Sequence, residues 1–280
     1  MQTTKLAALA LATVACGKQT FLAAAFVQTP QLANPVNPAQ PIPAFQVLTA
    51  YLGTIDTTDP TKIDASRLAT VTGATAAVAF RHKKDASVSS DSDENRVLPI
   101  PEGSQPGLYL VSSRDQQRLT YEQGVPYTLI LQTKGADSEA FGARLTPGAP
   151  AGVREFTGTP WAELGAGKPF VVTRTDSPVP GGELLPAFVL VGKIDPQNPS
   201  AAPTVTFKTV PADATALLKF VLSDKEYRWA SYTIPASAFD GGGYFAVSVL
   251  TVSTGKVSDN AFLGSTALAA SGTAGIVRVQ

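Results

Sequence analysis

The chain has 280 residues, and its 22 Lys plus Arg against 22 Asp plus Glu give a formal net charge of zero, with no basic stripe to follow a phosphate backbone; nucleic acid is therefore excluded as an expected partner. A single cysteine rules out an intrachain disulfide, a CxxC pair and a zinc-finger cluster. Abundant Gly (23) and Pro (22), with only 16% charged residues, favour short strands joined by many turns.

In chain order, Lys5 precedes an apolar run from Leu6 to Ala15, LAALALATVA, and the lone Cys16 follows with Gly17 behind it. A positive start, about ten apolar residues and small residues before a cut are the parts of a secretory signal, and the run is too short to span a bilayer as a helix. Val14-Ala15-Cys16 resembles the end of a bacterial lipoprotein signal, although Thr13 stands where that family usually carries Leu. The resemblance implies a signal peptide over 1–16, with Cys16 taking a diacylglyceryl group and becoming the new N-terminus. Gly17 replaces the Asp that retains enterobacterial lipoproteins in the inner membrane. The resemblance therefore implies an outer-membrane location, facing the periplasm or the cell surface.

Residues 17–44 combine a second apolar run with a proline-rich stretch. FLAAAFV, Phe21 to Val27, reads as a first strand or as a segment packed on the first domain. Pro30, Pro35, Pro38, Pro41 and Pro43 then suit an extended spacer that holds a domain off a membrane.

From Phe45 onward, short apolar runs alternate with Gly, Pro, Asp and Ser, and no stretch sustains helical periodicity. The expected strands are FQVLTAYLGTI, VTGATAAVAFR, GLYLVSS and YTLILQT in the first half. In the second half they are KPFVVTRT, PAFVLVGKI, PTVTFKTV, ALLKFVLSD, WASYTI and YFAVSVLTV. A motif occurs twice: Gly124-Val125-Pro126-Tyr127 and Gly241-Gly242-Gly243-Tyr244 each run into an alternating strand. Both resemble the tyrosine corner of immunoglobulin-like and fibronectin type III sandwiches. Thr72-Gly73-Ala74, Pro106-Gly107-Leu108-Tyr109 and the later Gly-x-x-Tyr also resemble, in that order, the transthyretin-like modules of surface lipoproteins. Together these imply an all-β chain of two tandem β-sandwiches, domain 1 over 45–150 and domain 2 over 151–280. The Gly/Pro-rich Thr146–Pro169 lies at the boundary.

Chemistry has few footholds. His82, the only histidine, sits among Arg81, Lys83 and Lys84, and the expectation is a solvated surface residue rather than a base. Asp91, Asp93, Asn95 and Glu102 fall at positions one, three, five and twelve of an EF-hand-like loop and form a calcium candidate, against which Arg96 replaces the turn glycine and two prolines follow. GAGKP lacks the first glycine of a phosphate loop and leads into a strand, which removes the nucleotide reading. Trp161, Trp229, Tyr227 and Tyr232 are either core aromatics or a sugar- or peptide-binding surface.

No cofactor and no catalytic residue is implied. The expectation is a lipid-anchored, non-enzymatic cell-envelope protein that acts through protein–protein binding, assembly or adhesion, its partner another envelope protein or a surface glycan. A carbohydrate-binding module and an envelope hydrolase with an acidic pair are the alternatives.

Overall fold

The computed structural model describes residues 18–56, 69–84, 92–135, 138–158, 161–176, 182–211, 216, 220, 223–262 and 264–280. The fold is all-β. Its strands are β1 (Lys18–Thr29), β2 (Phe45–Asp56), β3 (Ala69–Thr70), β4 (Thr75–His82), β5 (Glu94–Pro99), β6 (Leu108–Ser112), β7 (Tyr127–Gln132) and β8 (Ala140–Leu145). They continue as β9 (Trp161–Leu164), β10 (Phe170–Thr173), β11 (Ala187–Ile194), β12 (Thr204–Lys208), β13 (Ser231–Ile234), β14 (Gly243–Thr254), β15 (Lys256–Val257) and β16 (Thr266–Val279).

The backbone of the fold is one nine-stranded sheet in the order β12-β11-β14-β16-β1-β2-β3, with β6 also on β2 and β9 also on β16. The last strand is central to it. β16 pairs with β14 from Leu268 to Val279; on its other side it pairs first with β1 and then with β9, both parallel. FLAAAFV is therefore an interior strand, which explains its unbroken apolar character: Leu22, Ala24 and Phe26 face one core while Val27 packs on the opposite face.

Two smaller sheets lie side by side on one face of this long sheet. The five-stranded sheet β15-β8-β7-β4-β5 closes the first core, in which Leu48, Leu52, Tyr109, Leu129, Leu131 and Phe141 are sealed from solvent. Ala267 and Ala269 of β16 belong to this first core as well. The pair β10-β13 closes the second core over Val189, Val191, Phe245, Val247, Val249 and Val277. Alternation along β16 sends odd-numbered residues to these cores and Leu268 and Ala270 to a third cluster behind, with Phe188, Phe220 and Leu250. Both cores thus lie on one shared sheet, where the sequence suggests two separate units in tandem.

The boundary segment is correspondingly a seam. The carbonyls of Thr146, Gly148, Ala149 and Ala151 accept from the hydroxyls of Ser253, Ser271, Thr251 and Thr273, two from β14 and two from β16. Hydroxyl side chains at these inward positions satisfy backbone groups that the irregular chain between the cores leaves open.

The proline-rich stretch is not an extended spacer. It folds back as a hairpin bridged between Leu32 and Ile42, and Asn34 is its pin. The Asn34 amide nitrogen donates to Gln40 O and, at 2.8 Å, to Pro196 O; its oxygen accepts from the amides of Val36 and Asn37. The buried Asn34 is thus bonded through both ends of its amide, and it ties the hairpin to the loop between β11 and β12.

Candidate functional site

Cys16, the expected lipid attachment site, lies outside the described residues, as does Asp91. Strand β1 begins at Lys18, two positions after that cysteine.

The histidine is not solvated. His82, at the end of β4, is 5% exposed and its Nδ1 is within hydrogen-bond distance of Glu122 Oε1. Glu122 is fully engaged: Thr120 Oγ1 donates to Oε1, the Lys83 amide donates to Oε2, and the Glu122 amide itself donates to the Tyr127 hydroxyl. Tyr127 in turn donates to Thr120 O at 2.6 Å, the backbone bond of a tyrosine corner, and burial pushes its phenol well above the ordinary value of 10.0. Basic sequence neighbours suggest a surface position; strand alternation instead points Arg81 outward and His82 inward.

The second expected corner is absent. Tyr244 is half-buried, its hydroxyl makes no hydrogen bond among the described residues, and its ring lies 5.9 Å from the Arg278 guanidinium. Gly241, Gly242 and Gly243 all have positive φ, and the turn they make delivers Phe245 rather than Tyr244 into the core. The register differs by one residue.

The calcium reading fails on geometry. Glu94 to Pro99 form an extended edge strand rather than a loop, which separates the proposed ligands. Asp93 accepts from the Lys84 amide and faces Arg81, while Asn95 sits opposite Arg81 in the β4–β5 pairing. Glu102 is spent on a turn instead, since its two oxygens accept from the amides of Gly107 (2.7 Å) and Gly73 (2.8 Å), which hold its carboxyl below the ordinary value of 4.5. The Tyr109 hydroxyl accepts from the Ala74 amide next door. The Gly73-Ala74 turn and the Pro106-Gly107-Leu108-Tyr109 motif, separate in sequence, are therefore stitched together by Glu102 and Tyr109. Among the described residues no group of three or more His, Cys, Asp or Glu is arranged to hold a metal.

Of the four aromatics, Trp229 and Tyr232 meet, with ring centroids 5.4 Å apart, while Tyr227 and Trp161 lie elsewhere. Tyr227 packs on Phe188 and Phe220 in the third cluster, and Trp229 and Tyr232 pack on the second core. Trp161 sits on β9 with its indole donating to Glu163. Trp229 also lies under Arg174, a buried guanidinium held by Asp176 and by the carbonyls of Leu185 and Trp229.

The concave site is elsewhere, and sequence reasoning missed it. On the face of the long sheet opposite the two cores, the proline hairpin and the β11–β12 loop stand over a floor of small residues and enclose a pocket of about 290 Å3. Leu190, Gly192, Ala246, Ser248 and Ala274 make the floor; Leu32, Ile42, Pro43, Pro199 and Pro203 make the walls; the exposed Arg114 and Val205 stand at the pocket's two ends. Gly192 is needed for the close approach of the loop, because a Cβ there would meet Pro203 Cβ at 2.8 Å, and the β11–β12 ladder shifts register at the same point. Two polar groups in this apolar pocket are unspent. Ser248 is 5% exposed, its hydroxyl has no partner among the described residues, and its oxygen opens to the pocket rather than being sealed in protein. Arg114 stacks 5.3 Å over the Phe45 ring and has no carboxylate partner among the described residues. No motif marks this site, since its residues come from six separate stretches of chain.

No protein-family model matches the chain, and no curated protein does. Among solved structures it is similar to Escherichia coli alpha-2-macroglobulin activated by porcine elastase, at 12% identity and a TM-score of 0.22, with 84% of this chain covering 22% of that one. It is also similar to the N-terminal four immunoglobulin domains of Dscam1 isoforms 7.44 and 6.9, at 10% and 9% identity and TM-scores of 0.18, with 94% of this chain covering 66% of each. These neighbours include immunoglobulin-domain proteins, and scores this low carry nothing further.

Proposed function

We propose that this chain is a lipid-anchored, non-enzymatic protein of the bacterial cell envelope that acts by binding. The observation that carries the reading is the pocket, into which the Ser248 hydroxyl opens without a protein partner among the described residues, while other candidate groups, His82, Glu122, Asp93 and Glu102, are consumed in holding the fold. Pockets of this kind, apolar with few convergent polar groups, are the usual form of a small-ligand site.

The anchor reading rests on Cys16 directly after its apolar run. With β1 starting at Lys18, an acylated Cys16 would join the central sheet without a tether, and acyl burial would supply the membrane affinity. Eleven residue steps along β1, at ~3.4 Å each, then put Thr29 and the pocket roughly 37 Å from that attachment end. In this arrangement the pocket lies well away from the anchoring membrane, within reach of a soluble ligand or an envelope partner. A Cys16→Ala variant is expected to leave the membrane fraction for the soluble extract, and mass spectrometry of the wild-type N-terminus to show a diacylglyceryl adduct on Cys16. Detergent-dependent membrane retention of the variant overturns the anchor.

A further inference from the structure

We propose that the pocket takes a small, elongated carboxylate, apolar through its middle and carrying a second hydrogen-bonding group at its far end. This deepens the binding reading above and rests on it.

The volume sets the size. About 290 Å3, at the ~30 Å3 that one water occupies in the liquid, accommodates on the order of ten heavy atoms, which is a small molecule and not a folded partner or a whole lipid. The floor around Ser248 is apolar: Gly192, Ala246 and Ala274 put no side chain beyond a methyl in the way, Leu190 lies beside Ser248, and proline rings form the walls.

The two unspent polar groups stand apart along the pocket: Arg114 at one end, and Ser248 in the middle of the floor with Leu190 and Gly192 of β11 beyond it. Ser248 lies on β14, next to Ala274 on β16; Arg114 sits over Phe45, the first residue of β2. From β14 through β16 and β1 to β2 is three strand steps, roughly 14 Å at ~4.8 Å each. A ligand that reaches both is therefore elongated and lies across the strands. At one end, the guanidinium fork matches a carboxylate in two parallel hydrogen bonds, and no protein carboxylate competes for it among the described residues. At the other, the Ser248 hydroxyl can donate or accept, so it pairs with a hydroxyl or carbonyl and leaves a bare methyl end unrewarded.

Three probes separate the parts of the claim: 8-hydroxyoctanoate, octanoate and octanol, titrated by calorimetry into the purified full-length protein. The expected order is 8-hydroxyoctanoate tightest, octanoate several-fold weaker, and octanol several-fold weaker again, each at one per chain. Ser248→Ala should erase the difference between the first two probes and leave octanoate unchanged. Arg114→Gln should bring octanoate to the level of octanol and leave octanol unchanged. Ala246→Leu, which fills the floor, should abolish all three while the melting temperature confirms that the chain is folded. Equal binding of the three probes, or a loss of selectivity that ignores which residue is changed, overturns the ligand class but leaves the pocket a binding site. No binding of any probe to a folded protein overturns the class and the binding reading together.

Discussion

Replacing Tyr127 with Phe keeps the ring and removes one oxygen, which isolates the corner bond. The ring contacts are independent of the hydroxyl: its centroid lies 4.8 Å from Phe26 and 4.6 Å from Phe80, and both contacts survive the change. What goes is a donor to Thr120 O and an acceptor for the Glu122 amide, in a side chain with no exposed surface. At about 1 kcal/mol net per hydrogen bond, and more where the orphaned group stays dry, the loss amounts to about 2–3 kcal/mol. For a chain of this size that lowers the melting temperature by roughly 4–12 °C. Tyr244→Phe is the matched control: its hydroxyl makes no bond among the described residues, the Arg278 contact is to the ring, and the expected change is within about 0.5 kcal/mol. Urea unfolding of the two variants measures both. There is also a pH signature. A phenol held neutral in the fold above its ordinary value of 10.0 contributes stability that is complete below pH 10 and is lost as the pH rises through the folded value. The alkaline fall in stability should therefore be shallower in Tyr127→Phe than in wild type. Equal losses in the two variants, or a Tyr127→Phe loss under about 1 kcal/mol, would refute the corner.

Other consequences follow from the same hydrogen-bond accounting. The Glu102 carboxyl is held low by the Gly107 and Gly73 amides, so its contribution is present above pH 4.5 and lost as the pH falls through the folded value; Glu102→Gln should flatten the acid limb of a stability–pH curve below that point, and an unchanged limb would sink the assignment. Ser271→Ala removes the donor to Gly148 O and strands the Tyr121 hydroxyl, whose ionisation burial pushes up to about 12, and should cost about 2 kcal/mol in chemical denaturation. Asn34→Ala frees the proline hairpin from Pro196, and amide exchange over 31–42 should quicken while the exchange of β7 in the first core stays as it was.

How much was legible depended on how many faces of each element are packed. Strands with one inward face, such as β7 with Tyr127, Leu129 and Leu131 alternating against exposed neighbours, announce themselves by period two. β16 does not: TALAASGTAGIVRV is small and mixed because both faces and both edges are occupied, with Gly272 under Gln28 O and Gly275 under the Phe156 ring. A side chain larger than hydrogen would collide at either glycine, so the most central strand carries the weakest pattern. β5 was hidden differently, because Glu94 and Arg96 of its inward face are charged and paired with each other, and the expected strand at 216–224 lies mostly outside the described residues. The corner at Tyr127 was readable from Gly-x-x-Tyr because the hydroxyl's partner is local. The identical spacing misled at Tyr244 because which residue enters the core is set by the turn's backbone.

The pocket was illegible for a related reason, and that reason bears on its role. Its floor uses the face of the long sheet that neither sandwich core occupies, and its wall is the proline hairpin that composition assigns to a spacer. Proline suits a wall: rings with fixed φ and no amide hydrogen line a concave surface without adding donors that demand partners. The hairpin and the β11–β12 loop are pinned to each other by Asn34, and the sheet beneath them is continuous through β14 and β16 from one core to the other. The site is therefore rigid on its floor and fastened at one point along its wall.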